Sequence, residues 1–421
     1  MSGPPASDGL RRGLGVTDAV VIGLGAMIGA GIFVAPAPAA RVAGSGLLVG
    51  LALAAVVAYC NAISSARLAA RYPASGGTYV YGRERLGAFW GHLAGWAFVV
   101  GKTASCAAMA LAVGSYLWPD RAHEVAVASV VALTAVNYVG VRKSAVVTRV
   151  VVAGVLAVLA AVVVTALTSE QADATRLTVG SDTTVVGVFQ AAGLLFFAFA
   201  GYARVATLGE EVRDPARTIP KAVPIALGTT LVVYAAVAVA TLVVLGPQRL
   251  AEAEAPLVEA VRAAGAEWLA PVVRVGAGIA ALGSLLALIL GVSRTTLAMA
   301  RDGHLPHGLA AIHPRFAVPH RAELAVGAVV ALLAATADLR GTIGFSSFGV
   351  LAYYAIANAS ALTLGRDEGR PPVVVPVVGL VGCVLLAAAL PVASVVSGAA
   401  VLAVGGVVYG VRRGRVGRRT P

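Results

Sequence analysis

Lys102 sits deep in an apolar run, GWAFVVGKTASCAAMALAVGSY, where an ammonium costs about 2.5 to 3.5 kcal/mol even on lenient insertion scales. Snorkelling does not relieve it, because about fourteen residues, roughly 21 Å of helix, separate it from the start of the run at Ala88. A lysine held there either exchanges protons or stays charged and pairs with a carboxylate. A second source of chemistry is backbone. Gly23, Gly25, Gly29 and Gly31 crowd the stretch Gly23 to Ala40, GLGAMIGAGIFVAPAPAA, and glycine costs about 1 kcal/mol per helical residue relative to alanine. The cluster Gly29-Ala30-Gly31 therefore predicts a broken helix whose free N–H groups can hold an anion. Packing through small residues is the competing reading. A dinucleotide fingerprint is excluded, since the spacing is off by one residue and no strand precedes it.

Other reactive side chains point to less. His304, His307, His313 and His320 lie among Pro306, Pro314 and Pro319, which reads as a solvated loop and not as a metal site. Cys60, Cys106 and Cys383 each sit in an apolar run, with neither disulfide nor metal-ligand spacing, and read as packing residues. No apolar run carries a nucleophile with a base, or a ligand set, so the chain is expected not to be an enzyme and to hold no cofactor or metal. No nucleotide-binding motif is present.

These groups must be positioned by a membrane. The chain is 59% hydrophobic and 12% charged, against about 25% charged in ordinary soluble domains. Its net charge of +12 is spread over short loops instead of one basic face, which argues against nucleic acid. Windows of about 20 apolar residues, the length that crosses a bilayer, recur twelve times. They run Val16 to Ala35, Gly46 to Ala66, Ala88 to Leu117, Val125 to Val141, Val146 to Leu167, Val185 to Leu208, Ala222 to Leu245, Leu269 to Ala300, Leu324 to Ala337, Thr342 to Leu364, Val373 to Ala389 and Val392 to Tyr409. Lysine and arginine concentrate in alternate loops on the side of the N-terminus, among them Arg67, Arg71, Arg142, Lys143, Arg213, Lys221 and Arg366, so both termini are expected in the cytoplasm. The polar N-terminus lacks a cleavage pattern, and the first run is expected to remain in the mature protein. Between segments seven and eight, AEAEAPLVEAVRAAG predicts a short amphipathic helix outside the bilayer.

A second weak point, Phe196-Phe197-Ala198-Phe199-Ala200-Gly201-Tyr202, falls in segment six, five segments after the first. Units of five helices must be inverted relative to each other, and paired glycine-interrupted spans are the signature of that design. GAGIF in segment one, FFAFAGY followed by EEVRDPARTIPKAV, and SRTTLAMARDGHLP at the end of segment eight together resemble the amino acid, polyamine and organocation (APC) transporter superfamily. NYVGVRKSA before segment five and SSFGVLAYY in segment ten fit the same pattern.

The resemblance implies an all-α polytopic, leucine-transporter-like fold of 12 transmembrane helices with helices 1 and 6 broken. The five-helix repeats would be residues 16–167 and 185–364, followed by helices 11 and 12 over 373–409, with residues 1–15 and a basic tail 410–421 in the cytoplasm. It further implies a substrate site between the two breaks. There Gly29, Ala30 and Gly31 would bind a carboxylate, carbonyls around Phe197 and Ala200 would take the amino group, and Phe197, Tyr202 and Leu288 would gate. Met27, Lys102, Cys106, Ala198 and Gly201 complete the expected lining. In some proton-coupled members a lysine in the middle of helix 5 replaces a sodium ion, and counting from Asn137 and Gly140 that place here is Val155. Lys102 is the candidate to take over its role. Sodium coupling is disfavoured, because no acidic residue lies inside any segment and Ser284 and Ser293 are not adjacent. Glu210, Glu211, Arg213, Asp214 and Arg217 are expected to form ion pairs at the inner end of segment six, with Arg301 and Asp302 as further partners.

The expected function is secondary active transport of an amino acid across the cell membrane by alternating access, with a proton as coupling ion. The lining favours small or apolar neutral amino acids. The alternatives are an acidic amino acid or an antiporter using Lys102 as counter-ion, and a sensor that binds without transporting. Oligomeric state stays open.

Overall fold

The computed structural model describes residues 14–72, 76–140, 145–180, 183–199, 201 and 212–417. Helix dominates, and the only strand-like pairing among the described residues is an isolated parallel bridge between Leu14 and Val212. In chain order the helices are α1 (Val16–Met27), α2 (Ala30–Val34), α3 (Pro36–Ala43), α4 (Leu47–Arg71), α5 (Thr78–Leu86), α6 (Ala88–Leu117), α7 (Ala122–Val139), α8 (Ala145–Leu167) and α9 (Val185–Phe199). Then come α10 (Pro215–Glu252), α11 (Pro256–Ala263), α12 (Ala270–Arg301), α13 (His320–Thr336), α14 (Leu339–Leu362), α15 (Val374–Ala389) and α16 (Val392–Gly417). Among the described residues, helix lies in every apolar window read from the sequence. Among the described residues nine helices are long and apolar enough to cross a membrane, and α9 and α15 are shorter apolar helices. Large apolar side chains stand outward, Val150 at 66% exposure and Val185 at 74%, an arrangement that hydrocarbon accepts and water does not.

Several boundaries differ from the sequence reading for local reasons. The first segment continues past Ala35, because Pro36 opens α3 at a position where no backbone N–H is needed. α10 starts at Pro215 and is interrupted at Gly246, whose φ of 72° is a left-handed conformation, just before Pro247. α13 starts at His320, with the Glu323 N–H donating to Pro319 O at 2.9 Å, so an acidic residue belongs to a helix that had been read as beginning at Leu324.

The packing centres on α6, which lies against α12 and α14. At its crossing with α14 the backbones touch: a Cβ on Gly101 would lie 3.1 Å from Gly349 Cα. α4 packs between α9 and α10, α7 packs against α13, and α8 joins α10 and α12. α11 forms as expected but rests on protein, its Leu257, Val258 and Val261 buried against α10 and α12. Its apolar face finds its partner in the bundle.

Candidate functional site

α1 ends where its glycines cluster. Ile28 (φ −80°, ψ 60°) and Gly29 (φ −110°, ψ −147°) leave helical geometry, and α2 restarts at Ala30. The first turn of a helix leaves N–H groups without intrahelical partners, and here they belong to Ala30, Gly31 and Ile32. Space explains the glycines better than backbone strain does. A Cβ on Gly29 would lie 2.0 Å from Ser284 Oγ on α12, and one on Gly31 would lie 2.6 Å from Ala198 Cα on α9. A Cβ on Gly201 would lie 2.1 Å from Ala26 O. The two weak stretches found in the sequence therefore meet, α2 wedged between α6, α9 and α12.

The carbonyls freed at the break have partners. The buried Tyr234 of α10 donates its hydroxyl between Met27 O at 2.5 Å and Ala198 O at 2.9 Å, tying the end of α1 to α9. Gly25 O accepts from Ser284 Oγ at 3.5 Å. Sequence reasoning passed over Tyr234; its signal was a lone phenol in the run LVVYAAVAVA, where a buried hydroxyl must find a partner. A Cβ on Gly25 would meet the Val152 and Thr148 side chains of α8, and Val155, the place matched to the family's lysine, is buried.

Met27, Ala30, Phe197 and Ala198 are buried beside the break, and Gly201 is half-buried. Ala200 and Tyr202 lie outside the described residues, as do Arg204, Glu210 and Glu211. Phe196 packs edge-on against Tyr354 and Phe199 against Tyr234, so both serve the core. Lys102 is 5% exposed and is engaged by a partner there. Cys106, one turn further on the same face of α6, packs with Val130 of α7, Leu285 and Ile289 of α12 and Val326 of α13, and half-buried Leu288 joins that cluster. Met27, Ala30 and Phe197 belong to the other, larger cluster.

One end of α2 is capped by aromatic contacts. Tyr116 is fully buried, meets Phe33 edge-on at 5.7 Å, and donates to Phe33 O at 2.7 Å. The Leu257 N–H of α11 reaches the same hydroxyl at 3.4 Å. At the far end of α1, the Arg213 N–H donates to Leu14 O at 2.9 Å, and Arg149 pairs with Asp18.

Two charged groups sit differently from the sequence reading. Asp302 pairs with Arg83 at 2.8 Å and accepts from Tyr79 at 2.5 Å, because α5 folds against the end of α12; Arg217 pairs locally with Asp214. His304 is not a solvated loop residue. Its Nδ1 lies 3.2 Å from Nδ1 of buried His92, whose Nε2 donates to Gly405 O at 2.9 Å, and its ring stacks on Tyr409. Burial pushes the His304 imidazole below its usual range. Among the described residues no group of three or more His, Cys, Asp or Glu could hold a metal.

Comparison with known proteins adds a family. Residues 14–409 match the family model described as amino acid permease. The chain is 76% identical over 406 residues to an uncharacterized transporter of Mycobacterium tuberculosis, covering 96% of this chain and 92% of the relative. It is 26% identical over 387 residues to a branched-chain amino acid permease of Bacillus subtilis, covering 86% and 83%. It is 30% identical over 398 residues to a chloroplastic cationic amino acid transporter of Arabidopsis thaliana, covering 86% and 68%.

Proposed function

The chain belongs to the amino acid permease family, and on that footing we propose that it is a secondary active transporter that moves a small or apolar neutral amino acid by alternating access, driven by protons. The observation that carries the reading is the meeting of the α1–α2 break with the end of α9. Gly31 abuts Ala198 and Tyr234 links Met27 O to Ala198 O, while the α2 N–H groups remain for a carboxylate. Twelve spans in two inverted repeats are supported by a symmetry of neighbours. If the first ten sequence segments are numbered in order and five is added, counting round ten, segments three and ten (α6–α14) become eight and five (α12–α8), two and six (α4–α9) become seven and one (α10–α1), and three and four (α6–α7) become eight and nine (α12–α13), and each of these pairs packs together.

Apolar residues around the break, Met27, Ala30 and Phe197, favour an apolar side chain, in keeping with the name of the Bacillus relative. A cationic substrate, as in the name of the Arabidopsis relative, would face Lys102 on α6. An acidic substrate or an exchange mechanism is the second reading, with Lys102 as counter-ion. The charge bias of the loops supports cytoplasmic termini, in a proposed location in the cell membrane.

Reconstitution in liposomes with an imposed pH gradient, scanning radiolabelled amino acids, tests this. Accumulation of leucine or alanine is expected. No accumulation of any amino acid under a proton or a sodium gradient would remove the transport reading in favour of a sensor. Unchanged uptake and unchanged pH dependence in Lys102→Ala would take Lys102 out of the mechanism.

A further inference from the structure

Glu323 lies in the first turn of α13 with no exposed surface, and neither carboxylate oxygen has a hydrogen-bond partner. One turn on, Gly327 packs so closely on α7 that a Cβ there would lie 2.6 Å from Thr134 Oγ1. That hydroxyl is also buried without a partner. Residues four apart share a helix face, so the carboxyl and the hydroxyl border the same α7–α13 contact. An ionised carboxylate in such a place costs several kcal/mol unless donors or a cation compensate it, whereas a neutral carboxyl needs one acceptor for its proton.

The titratable groups on the elements around it are Arg274, Arg294 and Arg301 on α12, His123, Glu124 and Tyr138 on α7, His307, His313 and Arg315 in the segment before α13, and His92, Lys102, Cys106 and Tyr116 on α6; His320 and Arg321 share its own helix. Of these, Arg294 is the one whose charge acts on Glu323. Arg294 is exposed and Glu323 is not, and neither Glu323 oxygen accepts a hydrogen bond from it.

We propose that Glu323 is a proton-binding site of the transport cycle, neutral while the α7–α13 contact is closed and ionised against Arg294 when it opens. The step breaks the O–H bond of the carboxyl and forms one on a water molecule, giving carboxylate and hydronium with no change of oxidation state. A conformational change that opens this contact then releases a proton, and one that closes it takes a proton up. This rests on the transporter reading and names where its coupling ion sits. It moves the coupling question from the deep lysine on α6 to an acid at the end of α13.

The test uses the full chain in liposomes, with radiolabelled leucine, alanine and glutamate as probes. Exchange without a gradient and accumulation under a pH gradient are measured side by side. One pH unit can drive about tenfold accumulation at one proton per substrate. In Glu323→Gln, which keeps the shape of the neutral acid, the ratio of proton-driven accumulation to exchange should fall about tenfold, and exchange should lose its pH dependence. Glu323→Asp should restore part of the ratio. Arg294→Gln should move the acidic limb of the exchange profile to higher pH, since it removes the cation that favours the ionised form. A wild-type ratio and pH profile in Glu323→Gln overturns the proposal. So does loss of exchange and accumulation together in Glu323→Gln and Glu323→Asp, which assigns a structural role. If the wild type itself neither exchanges nor accumulates any probe, the transport reading fails instead. The neutral carboxyl stretch in the infrared, missing in Glu323→Gln, then still tests whether Glu323 holds a proton.

Discussion

Two buried polar places in this bundle meet the same difficulty in opposite ways. At the α1–α2 break Met27 O shares the Tyr234 hydroxyl with Ala198 O of α9, and Gly25 O has Ser284. At the α7–α13 contact Glu323 and Thr134 are left without donors or acceptors. Partnered groups fix a geometry, which suits a place that must hold a ligand in register. Unpartnered ionisable groups are stable in one protonation state only, which suits a place that must respond to protons. The first region should therefore lose stability when a partner is removed, and the second should not.

The largest effect is expected at the break itself. Gly31→Val puts side-chain atoms into the Ala198 backbone and should cost about 3 kcal/mol with loss of uptake, read by thermal unfolding in detergent and by transport. Gly29→Ala collides mainly with the Ser284 side chain, so Ser284→Gly should recover much of its loss, whereas it should not rescue Gly31→Val. Tyr234→Phe comes next. It removes the hydroxyl from two buried carbonyls, of which Met27 O keeps the Gly29 N–H, and should destabilise by about 1 to 3 kcal/mol, with weakened substrate binding in the same preparation.

The comparison is sharpened by the opposite sign at the other site. Glu323→Leu exchanges an unpartnered carboxyl for an apolar group of similar size. Thermal stability should be unchanged or higher, by up to about 2 kcal/mol, while pH-driven accumulation is lost. A drop in stability equal to that of Tyr234→Phe would erase the distinction drawn here.

The smallest effect is expected at the His92–His304 pair, whose Nδ1–Nδ1 hydrogen bond needs one of the two nitrogens to stay unprotonated. Because burial depresses the folded-state pKa of His304, the unfolded chain takes up protons first. Stability should then fall as pH drops below about 6.5, and His304→Gln should flatten that fall in a pH series of melting temperatures.

What was legible in the chain was legible because the cause is local. A run of about 20 apolar residues has to become helix in hydrocarbon, since only internal hydrogen bonding satisfies its backbone, and the twelve runs are helical where described. The break at Gly29 could be read for the same reason, glycine being weak in any helix. That FFAFAGY would lie against it was readable only through family resemblance, because nothing in either stretch specifies the other.

The remainder was settled by neighbours far away in sequence. Tyr234 gains its role because α10 passes both the end of α1 and the end of α9, and His304 leaves solvent because α6 and α16 bring His92 and Tyr409 to it. Glu323 shows the limit most sharply. At the edge of an apolar run a carboxylate looks solvated, since hydropathy counts only the residues beside it in the chain. The structure decides otherwise: α13 begins early and its first turn is covered from the side, principally by α7, and cover of that kind comes from packing between helices. The sequence by itself determined that this is a membrane bundle with two weak helices. Tertiary packing decided which polar groups inside it have partners and which are left to titrate.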